Sequence, residues 1–208
     1  MTENEKMLNG SLYNPFDKEL FDKRVKARNL SSEFNLTKEE ENEKRFKILE
    51  SLLGKMWENC EFHPSIRFDY GENTFIGDNC FFNYNSVFLD CGKITIGNNV
   101  FVGPNVSFLT PIHPMLSYQR NIQKDENGNL YNLEYANPIS IEDNVWIGGS
   151  VTINGGVTIG HDSVIGSSSV VTKDIPSGVF AAGNPCRVIR KITENDKLWF
   201  LLICSFLI

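Results

Sequence analysis

IEDNVWIGGSVTINGGVTIGHDSVIGSSSVV, residues 141–171, repeats one instruction every six residues. Ile141, Ile147, Ile153, Ile159, Ile165 and Val171 mark the period. Four residues after the first five come Val145, Val151, Val157, Ser163 and Ser169, all small or β-branched. Gly148, Gly160 and Gly166 directly follow three of the isoleucines. A period of six fits neither an amphipathic helix nor a half-buried strand. It fits a prism-shaped β-helix, in which each hexapeptide makes one short flat strand and a corner, and three hexapeptides make a coil. The aliphatic residue points into the prism and the small residue packs beneath it. Glycine or asparagine is expected to permit the tight corner, where φ is positive.

The same phase runs backwards along the chain. Ile96, Val102 and Phe108 predict one coil, and Ile76, Phe82 and Phe88 the coil before it. Ile96 lies eight residues after Phe88 rather than six, so Asp90-Cys91 is expected in an enlarged corner. The period fails from Thr110 to Asn137 and resumes in phase at Ile141. The gap contains the polar, turn-rich run Asp125–Asn129, which cannot form a prism face. A long excursion from a rigid scaffold is usually functional or disordered.

Residues 1–58 are charged, glycine-poor and helical in pattern, and read as a cap over the open end of the prism, where strand edges would otherwise be unpaired. A helix is expected over about 18–29, carrying Phe21, Val25 and Leu30. A second is expected after a capping box at Thr37–Glu40, with Phe46, Leu49, Leu53 and Met56 as its apolar stripe. Residues 59–190 read as the prism, with the excursion at about 110–137, and residues 191–208 as a tail. The apolar stretch Leu198–Ile208 is far short of the roughly 20 residues that span a bilayer. It is expected to cap the prism end or pack on a neighbouring subunit.

With 208 residues, 41% of them hydrophobic, the chain can bury a real core. A net charge of −6 argues against a general nucleic-acid surface, so an anionic ligand needs a local cluster of bases. Five scattered cysteines without a CxxC predict reduced, packed thiols rather than a disulfide framework or zinc site. The N-terminus lacks the apolar core of a signal peptide, so the protein reads as cytoplasmic and without a membrane span.

Only three histidines are present. His63 precedes a proline ahead of the regular repeat, and His161 occupies a corner beside Asp162; both read as structural. His113, in TPIHPM (residues 110–115), stands where the coil ends and the excursion departs, with a proline on either side of the approach. An imidazole is the natural general base for a hydroxyl or amine near neutral pH.

The segments NYNSVFLD (83–90), ITIGNNV (94–100), His113-Pro, NVWIGG (144–149), GVTIG (156–160), VVTKDIP (170–176) and GNPCRVIR (183–190) together resemble the maltose and galactoside O-acetyltransferases. Gly10-Ser-Leu-Tyr13 followed by Asp17 is similar to that family's helical cap, so the resemblance covers nearly the whole chain. It implies a mainly β fold, a left-handed parallel β-helix with a small α-helical N-terminal cap, and thus an exception to the usual right-handed crossover. It also implies a homotrimer with acetyl-CoA between subunits and no metal.

On this resemblance His113 removes the proton from an acceptor hydroxyl that attacks the thioester directly. Asn83, or a backbone N–H, supplies the oxyanion donor. Asp17, Asp69, Asn83, Asp90 and Glu134 are implied for a sugar acceptor, Glu134 by its place in the maltose-type motif. The plainer alternative for the aspartates and Asn83 is that corner residues satisfy turn geometry. For acetyl-CoA, the implied residues are Trp146 along the pantetheine arm, the backbone of Gly149 and Ser167, and Thr172, Lys173, Arg187 and Arg190 at the phosphates. Trp146, Lys173 and the excursion are expected on one prism face, with a neighbour as the second wall.

Three rivals remain at this stage. The same fold can serve a non-sugar or amino-sugar acceptor. A zinc carbonic anhydrase would need the three histidines to converge on matching corners, which their repeat positions do not favour. A non-catalytic assembly module would have no use for a base at the excursion root.

Overall fold

The computed structural model describes residues 1–198, and the tail from Trp199 onward, where most of the apolar stretch falls, lies outside them. The chain winds as a parallel β-helix of about six turns. Its first face stacks the strands Lys55–Met56, Thr74–Ile76, Ile94–Ile96, Ile139–Ile141 and Thr158–Ile159. The second stacks Glu61–Phe62, Phe81–Phe82, Phe101–Val102, Trp146–Ile147, Val164–Ile165 and Val179–Ala182, and the antiparallel strand Arg187–Lys191 closes its edge. The third stacks Ile66–Phe68, Ser86–Leu89, Ser107–Leu109, Thr152–Asn154 and Val170–Val171.

The hexapeptide phase is the register. Ile76, Ile96, Ile141 and Ile159 stack on the first face. Phe82, Val102, Ile147 and Ile165 stack on the second. Phe68, Phe88, Phe108 and Ile153 stack on the third. All twelve are buried. The rings of Phe68, Phe88 and Phe108 lie face to face with centroids 4.3 and 4.7 Å apart, filling the early coils as isoleucine fills the later ones.

Asparagine takes the tight corners as expected, while the glycines after the isoleucines do not. Positive φ falls on Asn59, Asn79, Asn99, Asn144 and Asp162 between the first and second faces, and on Asn85, Asn105, Ser150 and Ser168 between the second and third. Asparagine and aspartate tolerate this region because their side chains bond locally. Here they also bond each other: Asn59 donates to Asn79 at 3.2 Å, Asn79 to Asn99 at 3.3 Å, Asn99 to Asn144 at 3.2 Å and Asn144 to Asp162 at 2.9 Å. The glycines after the isoleucines serve stacking instead. A Cβ on Gly160 would stand 2.5 Å from the Ser177 nitrogen of the next coil.

The N-terminal region forms three helices, α1 (Glu3–Leu8), α2 (Lys18–Asn35) and α3 (Asn42–Leu52). Helix α2 runs past the expected end near residue 29 and buries Leu20, Ala27, Ser31 and Phe34; of the expected stripe Leu30 packs against the core, while Phe21 and Val25 are 56% and 41% exposed. No capping box forms at Thr37–Glu40. The Thr37 hydroxyl donates back to Phe34 O at 2.6 Å and closes α2, and α3 starts after Glu41 without a side-chain cap. Capping boxes lie instead at Thr2 with Glu5 and at Thr193 with Asp196. Helix α3 buries Arg45, Ile48, Leu49 and Leu52, leaves Phe46 half-exposed and ends before Leu53. Met56 belongs to the first paired strand, inside the stretch read as cap. Asn35 shows how the cap closes the prism: its amide donates to Ile66 O at 2.9 Å and accepts from Ile66 N at 2.8 Å, substituting for a missing strand.

The excursion is an ordered arm. Pro111–Ile112 pairs antiparallel with Tyr135–Ala136 at its root, and a short helix, α4 (Ser117–Arg120), follows. A hairpin of Gln123–Lys124 with Leu130–Tyr131 forms the tip. Asp125 organises its turn, accepting from Asn127 N at 2.9 Å and Asn129 N at 2.8 Å. No helix among the described residues is long and apolar enough to cross a membrane.

Candidate active site

His113 leaves the prism one residue past the strand Pro111–Ile112, at the corner between the third and first faces. Thr110 ties that corner together, donating to Leu89 O at 2.6 Å and accepting from Gly92 N at 2.7 Å. The His113 ring is half-exposed, with Nε2 3.5 Å from Glu134 Oε2. Glu134 returns along the other strand of the arm and is 9% exposed, so its carboxylate is aimed by its surroundings. Its second oxygen accepts a short hydrogen bond from the Tyr13 hydroxyl. Main-chain bonds reinforce the pair: Tyr13 N to Glu134 O at 2.9 Å and Glu134 N to Tyr13 O at 3.2 Å.

Three of the residues implied for an acceptor, Asp69, Asp17 and Asp90, are held in different ways. Asp69, largely shielded, pairs with Arg28 of α2 at 2.7 Å and lines a cleft of about 360 Å³ with Arg28, Ser32, Asn35, Val87 and Leu89. Asp17 caps α2, accepting from Glu19 N at 2.9 Å and Leu20 N at 3.3 Å. Asp90 is fully buried. Its carboxylate accepts from Tyr70 N at 2.8 Å and from the Thr74 hydroxyl at 3.1 Å, and burial pushes its pKa up to about 7. It therefore holds the enlarged corner from within. A larger cleft of about 640 Å³ lies between α2 and α3 and contains none of the candidate residues.

Asn83 stands at a different corner, between the second and third faces. Its Oδ1 accepts from Tyr84 N at 2.8 Å. Gly149 and Ser167 occupy the same edge, coils further along. Gly149 O accepts from Ser168 N at 2.9 Å, while the Gly149 and Ser167 N–H groups have no protein acceptor among the described residues. Trp146 projects from the second face, 57% exposed, in register with Phe101 and Val164. Lys173 and Thr172 lie at the third-to-first corner, exposed. Trp146 and Lys173 thus do not share one face, as the sequence was read to imply; the whole third face separates them.

Arg187 and Arg190 lie on the closing strand. Arg187 donates to Cys186 O at 2.8 Å. Arg190 forms a bidentate pair with Asp196, at 2.6 and 2.8 Å, and its guanidinium charge is therefore already matched. The three histidines stay apart: His63 bonds Glu61 at 2.8 Å on the first coil, and His161 bonds Asp162 at 2.7 Å on a corner. Sequence reasoning placed Tyr13 and Arg28 only within the cap. Gly10-Ser-Leu-Tyr13 was the available signal for the first; the second, on an irregular helix, had none.

Residues 6–56 match the family model of the maltose acetyltransferase hexapeptide capping motif, and residues 138–173 that of the bacterial transferase hexapeptide (six repeats). The chain is 41% identical over 200 residues to the galactoside O-acetyltransferase of Escherichia coli (strain K12), covering 96% of this chain and 94% of that one. A solved maltose O-acetyltransferase from Clostridium difficile 630 is 48% identical, with a TM-score of 0.83 over 93% of this chain and 99% of that one. A galactoside acetyltransferase solved in complex with coenzyme A is 40% identical, with a TM-score of 0.87 over 98% of this chain and 97% of that one.

Proposed function

The chain belongs to the maltose and galactoside O-acetyltransferase family, and we propose that it moves an acetyl group from acetyl-CoA to a sugar hydroxyl, with His113 as general base. It is an acyltransferase of the sugar O-acetyltransferase type. The observation that carries the assignment of the base is His113 at the arm root with its Nε2 3.5 Å from a shielded carboxylate, that of Glu134.

In this reading His113 takes the proton of an acceptor hydroxyl as its oxygen attacks the thioester carbonyl. Glu134 holds the ring and stabilises the imidazolium that forms. Asn83 or a backbone N–H donates to the developing oxyanion. Collapse breaks the carbon–sulfur bond, and His113 returns the proton to the departing thiolate. Asp69 and Asp17 contact the acceptor, and Asp90 keeps their corner rigid from behind. Trp146, the free N–H groups of Gly149 and Ser167, and the cations Lys173 and Arg187 hold acetyl-CoA.

The site is shared between subunits of a cytoplasmic homotrimer. Trp146 and Arg187 aside, its residues divide between two edges of the third face, and a second copy would bring one edge to the other. An apolar ladder on the second face, Phe81, Phe101, Trp146, Val164 and Phe180, supports such a contact, since Phe101 and Trp146 are 54% and 57% exposed and the other three are half-buried. A cyclic heterologous contact closes into a ring with three equivalent sites. The test is thiol release from acetyl-CoA across maltose, galactosides, amino sugars and non-sugar alcohols. Turnover highest with a neutral sugar supports the proposal; turnover confined to amines or non-sugar alcohols contradicts it.

A further inference from the structure

Tyr13 is the one large polar side chain of the cap that is wholly buried at the arm. It sits in a small cluster with Met7, Leu20, Tyr70, Cys91 and Ala136, apart from the prism core. A buried phenol needs a partner for its hydroxyl. Tyr13 could have been phenylalanine if the cap served only to cover the prism end. Instead its hydroxyl donates to Glu134, whose other oxygen faces His113, and its main chain bonds Glu134 twice.

We infer that Tyr13 is a positioning residue, which fixes the Glu134 carboxylate and through it the His113 ring, so that the N-terminal cap is a working part of the active site. This rests on His113 being the general base. Burial, with Cys91 and Glu134 alongside, raises the Tyr13 pKa, so the hydroxyl keeps its proton and remains a donor. The titratable groups facing it are Cys91 from the enlarged corner and Glu134 from the arm, with Tyr70, Asp69 and Asp90 behind them. The cations beside them are already engaged, Arg24 donating to the Tyr70 hydroxyl at 2.7 Å and Arg28 pairing with Asp69 at 2.7 Å, so the side-chain hydrogen bond that holds the buried oxygen of Glu134 is the one from Tyr13.

A double-mutant cycle on the full chain tests this. Tyr13→Phe keeps the ring in its cluster and removes only the donor. Its kcat should fall roughly tenfold while the KM for acetyl-CoA stays within about twofold, and in a Glu134→Gln background it should cost less than about twofold more. Wild-type kcat in a folded Tyr13→Phe protein, or losses that multiply fully with Glu134→Gln, would overturn the inference. Should Tyr13→Phe not fold, 3-fluorotyrosine incorporated throughout replaces it. A kcat change present in wild type and absent in Glu134→Gln supports the link, and equal changes in both overturn it. His113→Ala is measured alongside. If it is inactive while Tyr13→Phe is unimpaired, only the role of Tyr13 fails; if it is active, the reading beneath it fails.

Discussion

Asn83 and Asp90 stand at opposite ends of one strand, Ser86–Leu89 of the third face. At about 3.3 Å per residue, the strand holds their corners more than roughly 13 Å apart. Gly149 and Ser167 share the edge of Asn83, while Thr172, Lys173 and the root of His113 share that of Asp90. In the proposed trimer, a thioester held along the first edge meets a base on the second across a subunit boundary. Co-refolding equal amounts of His113→Ala and Trp146→Arg chains should therefore recover activity that neither variant has alone, to about one quarter of wild type if chains mix at random in a ring. Mixed trimers with no recovered activity would place the whole site in one chain.

The charges on acetyl-CoA should be met unequally. Lys173→Ala and Arg187→Ala are expected to raise its KM several-fold, more at low salt than at high, because ions screen phosphate contacts. Arg190→Ala should change it by less than about twofold, since the arginine is already bidentate with Asp196. Steady-state kinetics at two salt concentrations decide this. Equal effects at all three positions would show that Arg190 leaves Asp196 to bind the cofactor.

Asp90 ties stability to pH. Its folded pKa is about 7, above the ordinary carboxylate range of about 4. Between those values the folded chain keeps a proton that the unfolded chain has released. The contribution of Asp90 is thus favourable at low pH and is lost as pH rises through about 7. Asp90→Asn keeps an acceptor for Tyr70 N and cannot ionise. Its unfolding midpoint in urea, relative to wild type at equal protein concentration, should rise between pH 4.5 and pH 8. A difference independent of pH would contradict burial of the charge as the cause.

The ring stack of the third face predicts where the fold is most sensitive. Phe88 lies between Phe68 and Phe108 and is fully buried. Phe88→Ala leaves a cavity that rigid coils above and below cannot close, and should cost about 3–5 kcal/mol by chemical denaturation. A loss below about 1 kcal/mol would mean that the coils collapse on the gap.

What the sequence disclosed follows from period. A phase of six held without a break over the six inward residues from Ile141 to Val171, and over three in each of two earlier coils, determines the register, because a slip would turn inward aliphatic residues to solvent. The resumption at Ile141 after the arm was legible for the same reason. The cap was less so: α2 has no dominant apolar stripe, and its buried face includes Ser31, while Phe21 and Val25 are exposed. Thr37 satisfied a local motif but was claimed by the carbonyl at the end of α2. His113 was visible from its place at the arm root. Its pairing with Glu134, and through it with Tyr13, joins residues 121 apart along the chain and required the arm to fold back. The placement of the candidate residues on two edges was equally hidden, because a six-residue period does not reveal on which corner a given motif falls.

His113 carries the proposed chemistry. The measurement is the turnover of His113→Ala with a saturating sugar acceptor, set beside its acetyl-CoA Kd by calorimetry. The account predicts a kcat lower by roughly 10²–10⁴-fold with the Kd within about twofold of wild type, because only proton removal is lost. A kcat within about threefold of wild type would contradict it, whatever the affinity for acetyl-CoA.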